Sequence, residues 1–568
     1  MSELCGDDLI GRTLKQLGVK HVYSVPGGPI QEVLRACVKE GIRAIGVRNE
    51  QSGVMMAAAE NYVAGGVAGV PILVSGPGST NAVTGVLVAK DNCWPLVVIG
   101  GRQSLNLNGK GQFEELETVP IFQSITKWST LLYNVARIPE YLSQAFLVAT
   151  SGQPGPVFLE LPREVIIGTV AEEKVKQVEK RRLDLQPGAF DSVRQAIELL
   201  LKAERPLMLL GKGVRWSEPY AELRKLVETL KMPFVASPMG RGGIPDDHPL
   251  NVNAARSFAL RNADVVLMAG VRLNWLFRFG NELAKTAKII QIDIEPREID
   301  HNRAATVGIV GDIKQVLCQM LDELDGKAAA SAGRAEKSAW LTDLRTKEEE
   351  NKQSLIPFTN SDAVPMTTHR MVKEIAEFIP RDAICVVDGQ LVLAAGRQVL
   401  PSYYPASRLN SGSNGCIGIG VPFAIGAKLA QPERLVISIC GDCSFGFSAM
   451  EMETAIRYNL PIIFVVEENG GITGHKSQDR IYGKEYSEPV SNYTPDIHYE
   501  LIMQAFGGHA EYVQQPEELK PALQRAVASG KAACICVKVD PRTPFPGPMG
   551  RPKQGGIYSL LDIDRSIE

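Results

Sequence analysis

The stretch that decides the fold runs from Gly441 to Gly471: GDCSFGFSAMEMETAIRYNLPIIFVVEENGG. The apolar run LVISIC leads into it and reads as a buried strand that carries Gly441 and Asp442 at its carboxyl end. SFGFSAMEMETAIRYN reads as a crossover helix, and LPIIFVVEE as the next parallel strand, which brings Asn469 to the same edge. Open parallel α/β sheets bind their ligands at that edge. A carboxylate and an amide oxygen 27 positions apart in the chain are therefore expected side by side. Hard oxygen donors of this kind suit Mg²⁺, which takes few protein ligands and completes its octahedron with phosphate and water oxygens. Taken singly, Asp442 also reads as a helix cap and Asn469 as a turn residue; the pairing is what points to a metal.

Outward from this unit, short β-rich runs alternate with longer helical ones, the pattern of parallel α/β architecture. Three blocks emerge. The first holds HVYSVPGG, AIGVRNE, VPILVSGPG and PLVVIGG and closes on GPVFLELP; the charged stretch AEEKVKQVEKRRLDLQPG after it reads as a linker. The second holds PLMLLGKG, MPFVASPMG, DVVLMAG and KIIQIDIEP, like a doubly wound sheet, and fades into an Ala-rich and then charged segment expected to be an exposed helix or linker. The third holds AICVVDG, LVISICGD, PIIFVVEENGG and ACICVKVD, followed by a Pro/Gly-rich tail expected to act as a flap. The expected fold is α/β, three consecutive doubly wound parallel-sheet domains over residues 1–170, 185–345 and 365–568.

Bulk properties agree with an ordinary globular protein. At roughly 150 residues per domain, 568 residues make three or four domains. Apolar residues are 45% and charged residues 22%, and a net charge of −3 offers no basic field for nucleic acid or an anionic membrane. No apolar run approaches the ~20 residues of a membrane span. The start lacks a basic segment followed by an apolar one, and the end is not of the Ser-Lys-Leu type, so a cytoplasmic location is expected. Ten cysteines, mostly inside apolar runs, suit free thiols in a reducing compartment. Cys440-Gly-Asp-Cys443 matches C-x-x-C, a redox or metal motif, but has no second pair and begins inside a strand.

Gly441-Asp442 followed at this distance by Asn469 resembles the thiamine-diphosphate binding motif, with Cys443 where the family usually has Gly. Three further segments resemble the same family. VRNEQSG sets Glu50 just past a strand; the resemblance implies that Glu50 bonds N1′ of the aminopyrimidine and favours the tautomer that deprotonates C2 of the thiazolium. NSGSNGCIGIG holds Gly415 and Ile417, the latter matching the bulky residue over which the cofactor bends. VVDGQ adds Gly389 and Gln390 on the diphosphate side. By the same resemblance Cys443, Ser444, Gly471 and Ile472 face the cofactor, and Asp442, Asn469 and the Gly471 carbonyl ligate Mg²⁺.

Within the superfamily, DNCWPLVVIGG, GVRLNW and the Gly441–Gly471 unit look most like 2-hydroxyacyl-CoA lyase and oxalyl-CoA decarboxylase; acetolactate synthase is more distant. The resemblance implies cleavage of a 2-hydroxyacyl-CoA to an aldehyde or ketone plus formyl-CoA, with decarboxylation of oxalyl-CoA as the alternative. Other carboligases, or a silent homologue, stand further off. In GKGQFEELETVP, Phe113 stands where decarboxylases show Tyr, which favours the lyase, and Glu114 resembles the decarboxylase. Glu114 is expected to take the 2-hydroxyl proton, directly or through water. The central block resembles domains that bind ADP, with FAD open: Lys212 and Arg272 suit phosphates and Asp293 a ribose hydroxyl. Arg397, Arg551 and Lys553 are the cations expected to meet CoA phosphates. The family arrangement also implies a homodimer or tetramer with Glu50 of one chain completing the site of another.

Overall fold

The computed structural model describes residues 3–179, 181, 183–325, 336–475, 483 and 489–542. The first strands are β1 (Glu3–Cys5), β2 (His21–Ser24), β3 (Arg43–Gly46), β4 (Gly69–Leu73), β5 (Leu96–Arg102), β6 (Trp128–Leu131), β7 (Pro156–Pro162) and β8 (Thr169–Ala171). Six of them form a parallel sheet in the order β3-β2-β4-β5-β7-β6, and β1 pairs antiparallel with β8. The central sheet, β9 (Pro206–Leu210), β10 (Phe234–Ala236), β11 (Val265–Ala269), β12 (Lys288–Asp293) and β13 (Val307–Val310), is parallel in the order β10-β9-β11-β12-β13. The last sheet holds β14 (Ile384–Asp388), β15 (Arg408–Leu409), β16 (Val436–Gly441), β17 (Ile462–Glu468), β18 (His509–Val513) and β19 (Ala533–Lys538). It is parallel throughout, in the order β15-β14-β16-β17-β19-β18. The chain is thus three parallel-sheet α/β domains in succession.

Both faces of each sheet are covered, which is why β4, β9, β11, β14 and β17 read as unbroken apolar runs and are buried at every position. On β9, Met208 and Leu210 enter one core while Leu207 and Leu209 enter another on the opposite face. The largest core joins the first and third domains: Tyr23, Met55 and Trp94 pack in one cluster with Phe423, Val436 and Phe464. At its centre the helix Glu50–Ala64 lies against the helix Gly420–Ala430, each buried over nearly its whole circumference. Gly426 permits this approach, since a Cβ there would stand 2.1 Å from the Met56 carbonyl oxygen. The first helix begins where the Asn49 side chain accepts the Gln51 N–H, and stops at Gly65 in the left-handed region.

Two expectations need correction. The crossover after Asp442 is three short turns, Asp442–Gly446, a 3₁₀ turn Ala449–Glu451, and Met452–Arg457, in place of one helix. Ser448, with φ −141°, breaks the spiral, and Glu451 is buried where a continuous surface helix would expose it. The segment after the central sheet forms a helix, Glu336–Thr359, that is anchored to the protein: Trp340 and Leu344 are buried in the central core and the Trp340 indole N–H donates to the Pro206 carbonyl.

Candidate active site

Parallel register builds the edge that carries Asp442 and Asn469. Gly441 pairs with Glu467, so Asp442 lies beside the end of β17, where Asn469 follows. Asp442 and Asn469 are both buried. Asp442 Oδ1 accepts the Cys443 N–H at 2.6 Å, and Oδ2 accepts the Gly471 N–H at 2.9 Å. Asn469 Oδ1 is buried with no hydrogen-bond partner. Burial pushes the Asp442 pKa up to about 6 despite the N–H donors of Cys443, Gly471 and Asn469. A buried orphan amide oxygen beside a carboxylate that burial disfavours as an anion fits a hard divalent cation. Gly471 sits at φ +142°, and a Cβ would meet the Ser491 carbonyl oxygen at 2.2 Å; Ile472, next to it, is half exposed.

A cradle surrounds this edge. Asp388 ends β14, and Gly389 follows at φ +107°, its missing Cβ 3.1 Å from the Gly441 N. Gln390 opens the next helix and is exposed. The Ser444 hydroxyl donates to the Asp388 and Gly441 carbonyls at 3.1 and 3.0 Å, so it braces the turn from inside. Asp388 Oδ2 accepts the N–H of Gly418 and Gly420 at 3.0 and 2.8 Å, which pins the glycine-rich loop to the same edge. Within that loop Gly415 is exposed in the left-handed region and Ile417 is half-buried.

The first domain contributes a second group. Glu50 opens its helix, is buried, and its Oε2 accepts the Asn81 amide N–H at 3.0 Å. Glu114 stands nearby on a loop, at φ +57°, with its carbonyl oxygen accepting the Ser75 hydroxyl at 2.6 Å. Its Oε2 is buried without a partner, and burial, reinforced by the Glu50 charge, raises its pKa. Phe113, in contrast, is 78% exposed. The pair of carboxyls and the Asp442–Asn469 edge lie in different domains, and among the described residues no hydrogen bond joins Glu50 or Glu114 to Asp442 or Asn469.

Lys212, Arg272 and Asp293 line one cavity of about 870 Å³ between the first and central domains, together with Gly213, Arg215 and Asp312. The two cations are engaged there: Lys212 Nζ and Arg272 Nη2 both donate to the Asp91 carbonyl of the first domain. Burial and Arg272 lower the Lys212 pKa to about 8, and burial pushes Asp293 up to about 6. Arg397 is accessible in a neighbouring cleft lined by Phe277, Asn410 and Gly412; the enclosing walls and the Arg256 charge bring its pKa down to about 10. Arg551, Lys553 and the expected flap lie outside the described residues.

Several residues around these groups escaped the sequence reading. Glu451 accepts the N–H groups of Arg48 and Asn49 at 3.0 Å, immediately before Glu50. Tyr458 OH accepts the Gly46 N–H at 2.6 Å and donates to the Ala44 carbonyl, satisfying the open edge of β3. Asn81 and Asp91 were equally silent. Asn81 ends the short helix Pro77–Asn81, and nothing local pairs it with Glu50.

Comparison with known proteins matches this layout. Residues 5–121 match the N-terminal TPP binding domain of thiamine pyrophosphate enzymes, residues 193–320 the central domain, and residues 389–537 the C-terminal TPP binding domain. The chain belongs to the thiamine pyrophosphate enzyme family. Among its relatives, the 2-hydroxyacyl-CoA lyase of Arabidopsis thaliana is 35% identical over 551 residues, 94% of this chain and 96% of the relative. 2-Hydroxyacyl-CoA lyase 1 of Homo sapiens is 34% identical over 556 residues, 95% of each chain. Oxalyl-CoA decarboxylase of Escherichia coli (strain K12) is 35% identical over 546 residues, 94% of this chain and 95% of the relative. No helix of the described residues is long and apolar enough to cross a membrane.

Proposed function

We propose that the protein is a carbon–carbon lyase that cleaves 2-hydroxyacyl-CoA thioesters to an aldehyde or ketone plus formyl-CoA, and catalyses the reverse condensation. The observation that carries this reading is the Glu50–Glu114 pair, one carboxyl braced by Asn81 and the other holding a buried oxygen free. Glu50 is the proton-sharing partner of the aminopyrimidine. Glu114, with its raised pKa, is the group that removes the proton of the substrate 2-hydroxyl as the carbon–carbon bond breaks. Phe113 presents an apolar face beside it, suited to an alkyl chain. When bound, thiamine diphosphate supplies the electron sink for that cleavage.

Asp442, Asn469 and the Gly471 carbonyl would hold Mg²⁺ and, through it, the diphosphate; Gly389, Gln390, Gly415, Ile417, Cys443, Ser444 and Ile472 would surround the cofactor. ADP in the cavity of Lys212, Arg272 and Asp293, and CoA phosphates on Arg397, Arg551 and Lys553, belong to the same proposal. So does assembly as a homodimer or tetramer: the exposed Phe447, Met450 and Ile472 near the Asp442–Asn469 edge support a face covered by a second copy that brings its own Glu50. The second reading, oxalyl-CoA decarboxylase, rests on Glu114 and on a relative of equal identity. Against it, an ionised Glu114 beside Glu50 repels an oxalyl carboxylate. Incubation with a 2-hydroxyacyl-CoA and with oxalyl-CoA, followed by mass spectrometry, tests the choice. The lyase yields formyl-CoA and carbonyl product from the first; turnover of oxalyl-CoA alone sinks the reading.

A further inference from the structure

The turn Asp91-Asn92 ends the helix Val83–Asn92 of the first domain and touches both other domains. Its carbonyl groups face the central domain. The Asp91 carbonyl accepts Lys212 Nζ at 2.7 Å and Arg272 Nη2, and Lys212 reaches Asn92 Oδ1 at 3.1 Å. Cations on the last carbonyl of a helix are ordinary capping. The Asp91 side chain does something capping does not explain. It reaches a loop more than 300 positions away, where Oδ1 accepts the Ser413 hydroxyl and Oδ2 accepts the Asn414 N–H at 3.0 Å. The carboxylate is 8% exposed. Burial works to raise its pKa, yet Lys212, Ser413, Asn414 and Arg272 together hold it below the usual carboxylate range.

The loop it grips is the one that carries Gly415 and Ile417. Between two points that fix it, Asp91 at residues 413–414 and Asp388 at Gly418 and Gly420, residues 415–417 form a short span with little freedom. Gly412 lets the grip close, since a Cβ there would stand 2.5 Å from Asp91 Oδ2. The Trp275 indole N–H adds a bond to the Ser413 carbonyl at 2.7 Å from the central domain.

We infer that Asp91 is a positioning residue: from the first domain, and oriented by Lys212 and Arg272 of the central domain, it sets the loop of Gly415 and Ile417 against the cofactor. The inference rests on the assignment of that loop to the cofactor cradle. It predicts an effect on cofactor affinity.

The test is calorimetric titration of the full-length apoprotein with thiamine diphosphate and Mg²⁺, with circular dichroism as the check on folding. Asp91→Ala is expected to weaken cofactor binding about tenfold, the scale of a lost charge-assisted hydrogen bond. Asp91→Asn, which keeps one acceptor oxygen, falls between the two. Ser413→Ala weakens binding as well, and adds nothing in the Asp91→Ala background, because the two residues form one contact. Should Asp91→Ala not fold, Asp91→Asn and Ser413→Ala form the same cycle. Wild-type affinity in Asp91→Ala, or losses that simply add, would overturn the inference while leaving the proposed lyase intact. Absence of binding by the wild-type protein would instead remove the cofactor cradle on which it stands.

Discussion

At the scale of single residues, two carboxyls carry contrasting expectations. Glu50→Gln keeps the size and the Asn81 contact but cannot share a proton at N1′. Turnover is expected to fall by at least about 100-fold. Hydrogen–deuterium exchange at C2 of bound thiamine diphosphate, followed by NMR, should slow in parallel; exchange at the wild-type rate would remove Glu50 from its role. Asp293 carries a pH dependence whose sign follows from its raised pKa. The native state holds a proton up to about 6, whereas the unfolded chain releases it near the ordinary carboxyl value of 3.8. Between those values the native state binds more protons, so Asp293 makes stability fall as pH rises, and the penalty is complete above about 6. Its ceiling is about 3 kcal/mol at 1.36 kcal/mol per unit. Asp293→Asn should therefore be more stable than wild type at pH 7 and lose that advantage at pH 4, as read by urea denaturation at both values.

At the scale of elements, the decisive contact is between the short turns after Asp442 and the strand edge before Glu50. Strand β3 lies at the border of its sheet, and Tyr458, Glu451 and the Arg48–Glu453 ion pair at 3.6 Å close it from the third domain. Glu451→Ala would strip two backbone N–H groups of their acceptor inside the protein. A loss of about 2–4 kcal/mol is expected from two such orphans, measurable by denaturant unfolding, with Glu451→Gln recovering part of it. No change in stability would mean that water satisfies the Arg48–Asn49 turn. The same edge-building logic applies to β16 and β17. Asp442→Ala and Asn469→Ala should each weaken Mg²⁺-dependent cofactor binding, and unchanged affinity in both would count against the proposed Mg²⁺ site.

At the scale of the whole molecule, the Glu50–Glu114 pair and the Asp442–Asn469 edge sit in domains that share one core, yet among the described residues no hydrogen bond joins the two groups. The proposed assembly, in which each copy lends Glu50 to the other, would resolve that separation. Chains carrying Glu50→Gln and chains carrying Asp442→Ala should each be inactive, and mixing them should restore up to one intact site per mixed dimer. Sedimentation should find no stable monomer at micromolar concentration. Failure to recover activity after confirmed subunit exchange would argue for a site built within one chain.

Much of this was legible in the chain itself, for a local reason. Unbroken apolar runs ending in Gly, Asp or Asn state both that a strand is buried on two faces and where its carboxyl end falls, so the three parallel sheets and the pairing of Asp442 with Asn469 follow from periodicity and spacing. Glu50 stands just past such a run, and its expected role came only from the resemblance of VRNEQSG to thiamine-diphosphate enzymes. The strings NCWP and RLNW were read as marks of a subfamily; in the fold, Trp94 of the first domain packs on Phe423 of the third at 5.0 Å within the shared core and Trp275 ties the Ser413 loop. Their meaning is packing between domains, which no local pattern encodes. The same holds for Glu451, Asn81 and Asp91. Glu451 and Asp91 each accept donors from another domain, and Asn81 donates to Glu50 from 31 positions away in the same domain; only the tertiary fold decides which of these side chains meet.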